Sequence, residues 1–141
     1  MEPLRLTFSI DGSDFIHAGE ASSGAKKALT KLGVKAPVVK RAAIAMYEAE
    51  LNTVIHAGGG SAEVDIYPDH VLIRVTDHGP GIPDVRLAMQ EGWSTAPEAA
   101  REMGFGAGMG LPNIKKQSDE LLIETEPGRG TTVTIRINFT V

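Results

Sequence analysis

The chain contains no cysteine, and several features of more specialised proteins are also missing from it. Without cysteine there are no disulfides, no thiolate metal ligands and no cysteine nucleophile. No apolar run approaches the roughly 20 residues that a membrane-spanning helix needs. The N-terminal segment MEPLRLTFSIDGSD lacks the basic and apolar regions of a signal peptide. We therefore expect a cytoplasmic protein that is not embedded in a membrane.

Positive charge is also scarce, because 14 lysines and arginines face 18 aspartates and glutamates and no basic cluster occurs. Proteins that bind nucleic acid or an anionic membrane present a concentrated basic surface. The net charge of -4 therefore argues against nucleic acid and against a membrane surface as partners.

Glycine is the one residue type in excess, with 16 among 141 residues, and the glycines are clustered rather than scattered. A chain of this length corresponds to about one domain, so we expect a single domain over residues 1–141. Ten glycines and prolines fall between His78 and Gly110. A loop this long inside a compact domain is usually functional or disordered.

Hydrophobic periodicity predicts five strands and three long helices. Alternating apolar residues mark the strands, and segments with apolar residues on one or more faces mark the helices. This pattern predicts an α+β fold: a two-layer α/β sandwich whose mixed, mostly antiparallel five-stranded sheet is covered on one face by three helices. We place the strands at 4–10, 61–67, 70–77, 120–126 and after the turn at 127–130. The helices are placed from a cap at Asp14 through Ala18 to Gly33, from Pro37 to about His56, and from about Leu111, with a short amphipathic piece over 84–91.

The segment YEAELNTVIHA places a carboxylate and an amide on the same face of the second helix. Glu48 and Asn52 are separated by 400°, a net 40°, whereas Glu50 points away from them. Asn52 can offer a neutral oxygen to Mg²⁺, and Glu48 can accept a proton from an attacking hydroxyl or water. The alternative is an ordinary solvated helix face.

The segment TDHGPGIPD directly follows a predicted strand. Asp77 at the strand end can accept a hydrogen bond from an exocyclic amino group such as that of adenine, and the following glycines allow close approach of a ligand. A plain turn of Asp, Gly and Pro is the alternative.

The segment GFGAGMGLPNIKK has glycine at four alternate positions before a predicted helix. Ordering four glycines costs conformational entropy. Phosphate can offset that cost, because a glycine-rich loop at a helix N-terminus offers backbone N–H groups and a favourable dipole to an anion. A flexible linker is the alternative. The segment is not a Walker loop, since no Gly-Lys-Ser/Thr follows.

The order of these motifs is more specific than any one of them. Helical ExxxN, strand-terminal DxGxG, GxGxGL before a helix and GT before the last strand resemble the N, G1 and G2 boxes of the GHKL superfamily. That superfamily includes gyrases, heat-shock chaperones, histidine kinases and mismatch-repair ATPases. The resemblance spans roughly residues 36–140. Within it, the run GPGIPDVRLAMQEGWST is similar to the bacterial anti-sigma factors and switch-protein serine kinases.

This resemblance implies an ATP-dependent serine/threonine protein kinase of the anti-sigma or partner-switching type, with ATP and Mg²⁺ as cofactors. It implies as partners a small STAS-type antagonist protein and a sigma factor or phosphatase, with pairing into a homodimer. Glu48 would be the general base and Asn52 the Mg²⁺ ligand. The implied ATP-binding residues are Asn52, Asp77, Gly79, Gly81, Ile82, Arg101, Gly106, Gly108, Met109, Gly110, Leu111 and Thr131, and the implied ATP lid covers about 92–108.

Three other interpretations stay open. The protein can be a non-catalytic switch that uses nucleotide to hold or release a sigma factor or phosphatase. It can be a detached histidine-kinase-like catalytic domain, although no histidine is followed by the acidic residue and leucine of a phosphoacceptor helix. It can also be an ordinary two-layer domain with no ligand.

Overall fold

The computed structural model describes residues 2–12, 18–82, 85–89 and 110–140. Five strands and four helices occur in this part of the chain. In chain order they are β1 (Leu4–Asp11), α1 (Glu20–Lys31), α2 (Ala36–Ala57), β2 (Gly59–Ile66), β3 (His70–Asp77), α3 (Val85–Ala88), α4 (Gly110–Gln117), β4 (Glu120–Glu126) and β5 (Gly130–Asn138).

The five strands form one open sheet in the order β1-β2-β3-β5-β4. Every described pairing is antiparallel. The central strand β3 pairs with β5 so that Asp77 lies opposite Thr131. The helices cover one face of the sheet, and the predicted two-layer α+β fold is therefore confirmed.

The hydrophobic core lies between the sheet and α2. Alternate residues of the strands point into it, among them Val71, Ile73 and Val75 of β3, all at most 1% exposed. Small residues such as Ala45 and Ala49 let α2 pack closely onto the sheet. Because α2 contacts α1 on one side and α4 on the other, it is the central helix of the helical layer.

Helix α1 begins at Glu20, so the prediction that this helix already includes Ala18 was wrong, while the predicted cap, Asp14, lies outside the described residues. Ala18 and Gly19 form a turn before the helix, and Gly19 adopts a left-handed conformation with φ 106°. The cap is not local. The buried carboxylate of Glu50 on α2 accepts hydrogen bonds from the backbone N–H groups of Gly19 (2.9 Å), Ala21 (3.2 Å) and Ser22 (3.1 Å). These groups have no partner inside the helix, because they belong to its first turn.

The other face of the sheet is polar and carries cross-strand ion pairs. Arg5 forms two hydrogen bonds with Asp65, from Nε to Oδ1 (2.7 Å) and from Nη2 to Oδ2 (2.9 Å). These bonds lower the pKa of the Asp65 carboxyl. The helical side and the helix-free side of the sheet are therefore chemically distinct.

No helix in the described ranges is both long enough and apolar enough to cross a bilayer. The longest, α2, has 22 residues and includes charged side chains such as Arg41, Glu48 and Glu50.

Removal of the Glu50 carboxylate should destabilise the protein. In Glu50→Ala three N–H groups, two of them buried, lose their acceptor, and we expect the free energy of unfolding to fall by about 3 kcal/mol. Urea unfolding followed by circular dichroism measures this change. Glu124→Ala on the exposed side of β4 is the control, with an expected change within about 0.5 kcal/mol. A Glu50→Ala protein as stable as the control would contradict the capping role.

Candidate functional site

Glu48 and Asn52 lie on the side of α2 that faces α4. Both side chains are half-buried. A Cβ atom placed on Gly110, the first residue of α4, would lie 2.9 Å from Oδ1 and 3.1 Å from Nδ2 of Asn52. The Asn52 amide therefore lies directly beside the N-terminus of α4, where backbone N–H groups and the helix dipole favour an anion.

The Glu48 carboxyl has an unusual environment for a charged group. Burial raises its pKa above the ordinary value of 4.5, and a side-chain hydrogen bond with Asn113 of α4 partly opposes this increase. A carboxyl group with a raised pKa binds a proton more readily than an exposed one. This property is typical of residues that accept and release protons in catalysis.

Asp77 ends β3 and forms the second part of the site. Its Oδ1 atom accepts hydrogen bonds from the backbone N–H groups of Gly79 (3.0 Å) and Thr131 (3.2 Å). Both of these hydrogen bonds end on Oδ1, which leaves Oδ2 as the second acceptor oxygen of the carboxylate. That oxygen is suited to accept a hydrogen bond from a ligand amino group.

The turn after Asp77 is held against the end of α2. A Cβ atom on Gly79 would lie 2.5 Å from the Cβ of Ala57, so this position requires glycine. Ala57 is the last residue of α2, and Asn52 lies five residues earlier, about 7.5 Å along the helix axis. The strand-end group therefore lies near the C-terminal end of the helix that carries Asn52.

The turn is also fixed to the β4–β5 hairpin. Ile82 donates its backbone N–H to Oγ1 of Thr125 (2.8 Å), and this hydroxyl lies 3.0 Å from Oγ1 of Thr131. Gly81 has a φ of 81°, and a Cβ atom there would lie 2.8 Å from the carbonyl oxygen of Glu126. The segment that carries Gly79, Gly81 and Ile82 is thus positioned from both sides before any ligand binds.

The structure brings most of the predicted site residues into two groups. Glu48, Asn52, Gly110 and the buried Leu111 lie where α2 meets α4. Asp77, Gly79, Gly81, Ile82 and Thr131 lie at the end of β3 and beside it. The remaining predicted residues, Arg101, Gly106, Gly108 and Met109, and the predicted lid at 92–108, fall outside the described residues.

Three residues near the site were not predicted from the sequence. Asn113 contacts Glu48, Thr125 supports the turn after Asp77, and Glu50 fixes α2 against α1. Asn113 lies three residues after Gly110 and therefore nearly on the same face of α4. That spacing is a local signal, but it has meaning only once Gly110 is known to contact α2.

Among the described residues, no three His, Asp or Glu side chains are close enough together to hold a metal ion. Mg²⁺ does not need such a cluster, because it commonly binds through one or two protein oxygens together with substrate phosphates. The amide oxygen of Asn52 beside the N-terminus of α4 fits this kind of site.

The fold and the site together define a class: a two-layer domain of the ATPase type whose candidate site residues lie on one helix and at one strand end. Residues 38–141 match the family described as Histidine kinase-, DNA gyrase B-, and HSP90-like ATPase. The chain belongs to this family, and the sequence-based assignment to the GHKL superfamily is confirmed.

Several relatives of known name are similar to this chain. The serine/threonine-protein kinase RsbT of Bacillus subtilis (strain 168) is 33% identical over 97 residues, which cover 66% of this chain and 67% of that protein. The anti-sigma F factor of Pasteuria penetrans is 39% identical over 93 residues, or 61% of this chain and 59% of the relative. The matched region thus spans between about three fifths and two thirds of these relatives' length.

Two solved structures share the fold. The SiaB-SiaC complex from Pseudomonas aeruginosa contains a chain that matches with a TM-score of 0.62 at 16% identity, covering 94% of this chain and 88% of that one. The mycobacterial sensor histidine kinase MprB matches with a TM-score of 0.55 at 17% identity, covering 96% and 97%. At these identities the similarity concerns the fold.

The environment of Glu48 leads to a prediction about stability and pH. The pKa of Glu48 is higher in the folded protein than in the unfolded protein. Ionisation of Glu48 therefore lowers the free energy of unfolding as the pH rises from the unfolded-state pKa through the folded-state pKa. We expect Glu48→Gln to gain stability over the wild type when the pH is raised from about 4 to 7. At about pH 4 the wild-type carboxyl is largely protonated, so the two proteins should differ least in free energy of unfolding there. Urea unfolding of both proteins at the two pH values measures this difference, with Glu124→Gln as the control. A relative loss of stability at pH 7 would contradict the burial of Glu48.

Proposed function

We propose that this protein is an ATP-dependent serine/threonine protein kinase of the anti-sigma or partner-switching type. The observation that carries the proposal is the arrangement of Glu48 and Asn52 on one face of α2, against the N-terminus of α4. In the proposal Glu48 is a proton acceptor and Asn52 a metal-binding amide, and both lie beside a helix end that is suited to bind an anion. Relatives named as a serine/threonine-protein kinase and as anti-sigma F factors support the same activity.

In this proposal the nucleotide lies beside α2, between the two groups of site residues. Oδ2 of Asp77 accepts a hydrogen bond from the adenine amino group, while Oδ1 remains bound to Gly79 and Thr131. The phosphates lie at the N-terminus of α4, which begins with Gly110 and Leu111. The residues between 92 and 108, including Arg101, Gly106 and Gly108, are proposed to cover the phosphates.

The protein groups have distinct tasks in phosphoryl transfer. Asn52 holds Mg²⁺, which when bound neutralises charge on the phosphates. Glu48 removes the proton of a serine or threonine hydroxyl as that oxygen forms a bond to the γ-phosphorus. The bond between the γ-phosphorus and the bridging oxygen breaks, and ADP leaves with both electrons. Positioning and electrostatics supply most of such catalysis.

The acceptor in this proposal is a small antagonist protein of the STAS type. The kinase acts on it in the cytoplasm, and a sigma factor or phosphatase is the second partner. The names of the anti-sigma F factor relatives and the fold shared with a chain of the SiaB-SiaC complex support partner switching of this kind. Pairing of two copies of the chain also belongs to the proposal.

Removal of the proposed base should stop transfer without preventing nucleotide binding. We expect Glu48→Ala to lower the rate of γ-phosphoryl transfer at least about 100-fold, since general-base catalysis contributes on the order of 10² to 10⁴. ATP with a labelled γ-phosphate, mixed with an antagonist protein recovered by pull-down from the native cell, measures the rate. Calorimetry with Mg-ATP should give a Kd within about threefold of the wild type.

Three outcomes of this experiment are informative. Transfer by Glu48→Ala at the wild-type rate would show that Glu48 is not the base. Stoichiometric nucleotide retention by the wild-type protein without any transfer would favour the non-catalytic switch. Label on a histidine of the partner would favour a histidine-kinase-like domain.

Removal of the metal-binding amide should weaken nucleotide binding itself. A ligand at about 100 times its Kd adds about 2.7 kcal/mol to stability, and we expect Mg-ATP to stabilise the wild type to this extent. Asn52→Ala should bind Mg-ATP roughly tenfold more weakly, a loss of about 1.4 kcal/mol. Thermal unfolding with and without Mg-ATP measures both effects, and Lys40→Ala on the exposed side of α2 is the control. A wild-type protein that Mg-ATP does not stabilise would contradict nucleotide binding.

A further inference from the structure

Helices α2 and α4 meet along a row of polar contacts that includes the proposed base. The two helices run antiparallel along this contact, because residues nearer the N-terminus of α2 contact residues nearer the C-terminus of α4. In order, Asn52 lies against Gly110, Glu48 lies against Asn113, and Nε of Arg41 donates to the carbonyl oxygen of Gln117 at 3.1 Å.

Asn113 occupies the middle position of this row. Its side chain is half-buried, and its amide is a neutral donor suited to a carboxylate. The contacts on both sides fix its place. A Cβ atom at Gly110 would lie 2.9 Å from Oδ1 of Asn52, and Arg41 contacts the last turn of α4. Because both ends of α4 are attached to α2, Asn113 is presented to Glu48 from a rigid element.

A glutamate side chain has three rotatable bonds and needs such support if it is to act as a base. Without a partner, a half-buried carboxylate samples several rotamers. A general base must lie within hydrogen-bonding reach of the proton that it removes, and a displacement of about 1 Å can cost roughly 100-fold in rate. Among the described residues, Asn113 is the side chain whose hydrogen bonding opposes the rise in the pKa of Glu48, and its place in the row between Gly110 and Gln117 sets it opposite Glu48.

We propose that Asn113 is a positioning residue for phosphoryl transfer, which holds the Glu48 carboxylate toward the N-terminus of α4. This inference rests on the proposed kinase activity. It adds that one short helix, α4, positions both the phosphates and the base. The first turn of α4 receives the phosphates, and Asn113 in the same turn orients the base. The distance between base and phosphate is then fixed by the helix itself.

The test compares Asn113→Leu, which has nearly the same shape but no donor, with the wild type. We expect kcat for transfer to fall about tenfold, while KM for ATP and the Kd of Mg-ATP stay within about twofold, because Asn52 and Gly110 are unchanged. Asn113→Gln retains an amide and should recover part of kcat. Gln117→Ala, one turn further along the same face of α4, should leave kcat unchanged. Equal losses of kcat in Asn113→Leu and Gln117→Ala would overturn the inference.

A double-mutant cycle separates positioning from a general structural role. Residual transfer is measured with stoichiometric enzyme over long incubations, in Glu48→Gln and in Glu48→Gln combined with Asn113→Leu. If Asn113 acts through Glu48, the second substitution causes no further loss. A further tenfold loss in the Glu48→Gln background would overturn the inference. Should Asn113→Leu fail to fold, Asn113→Ala, which also lacks a donor, replaces it under the same criteria.

These outcomes also distinguish the inference from the function on which it rests. A wild-type protein that transfers no phosphate would overturn both. Wild-type transfer that Asn113→Leu leaves at full kcat would overturn only the role of Asn113.

Discussion

The structure depends on the buried carboxylate of Glu50, because it fixes the orientation of the central helix. Three hydrogen bonds hold it to the first turn of α1. Residues two apart on a helix point about 200° from each other. The hydrogen bonds that hold Glu50 against α1 therefore also direct Glu48 and Asn52 toward α4. A buried charge is costly, but here backbone N–H groups satisfy it, and the same contact that begins α1 orients the site.

The second half of the site depends on strand register. Asp77 has the same alternation as Val71, Ile73 and Val75, so its side chain lies on the helical side of the sheet. A slip of one residue in the β3–β5 pairing would expose that apolar series and turn Asp77 to the other face. The hydrophobic core therefore determines where the strand-end carboxylate points, and the close packing of Gly79 on Ala57 joins it to α2.

Local patterns were enough to predict much of this arrangement. Alternating apolar residues predicted the five strands almost to their ends, and Pro37 marked the start of α2. Glu48, Asn52 and Asp77 could be chosen because helix spacing and strand ends are local features. The start of α1 could not be predicted from local features, since its cap, Glu50, lies about 30 residues away in sequence. Asn113 was missed for the same reason: its proposed role arises only when α4 packs on α2. Roles for residues 92–108 stay predictions.

The position of Glu48 bears on the choice between a kinase and a nucleotide-dependent switch. Nucleotide retention requires a base-reading group, a metal ligand and an anion-binding helix end, which Asp77, Asn52 and the N-terminus of α4 can supply. None of these tasks needs a carboxylate at position 48. Burial there disfavours the charged form, and such a group weakens folding at neutral pH. A half-buried acid that costs stability, beside an amide of the helix proposed to bind phosphate, is explained by proton transfer and not by binding alone. On this physical ground phosphoryl transfer is favoured over a passive switch.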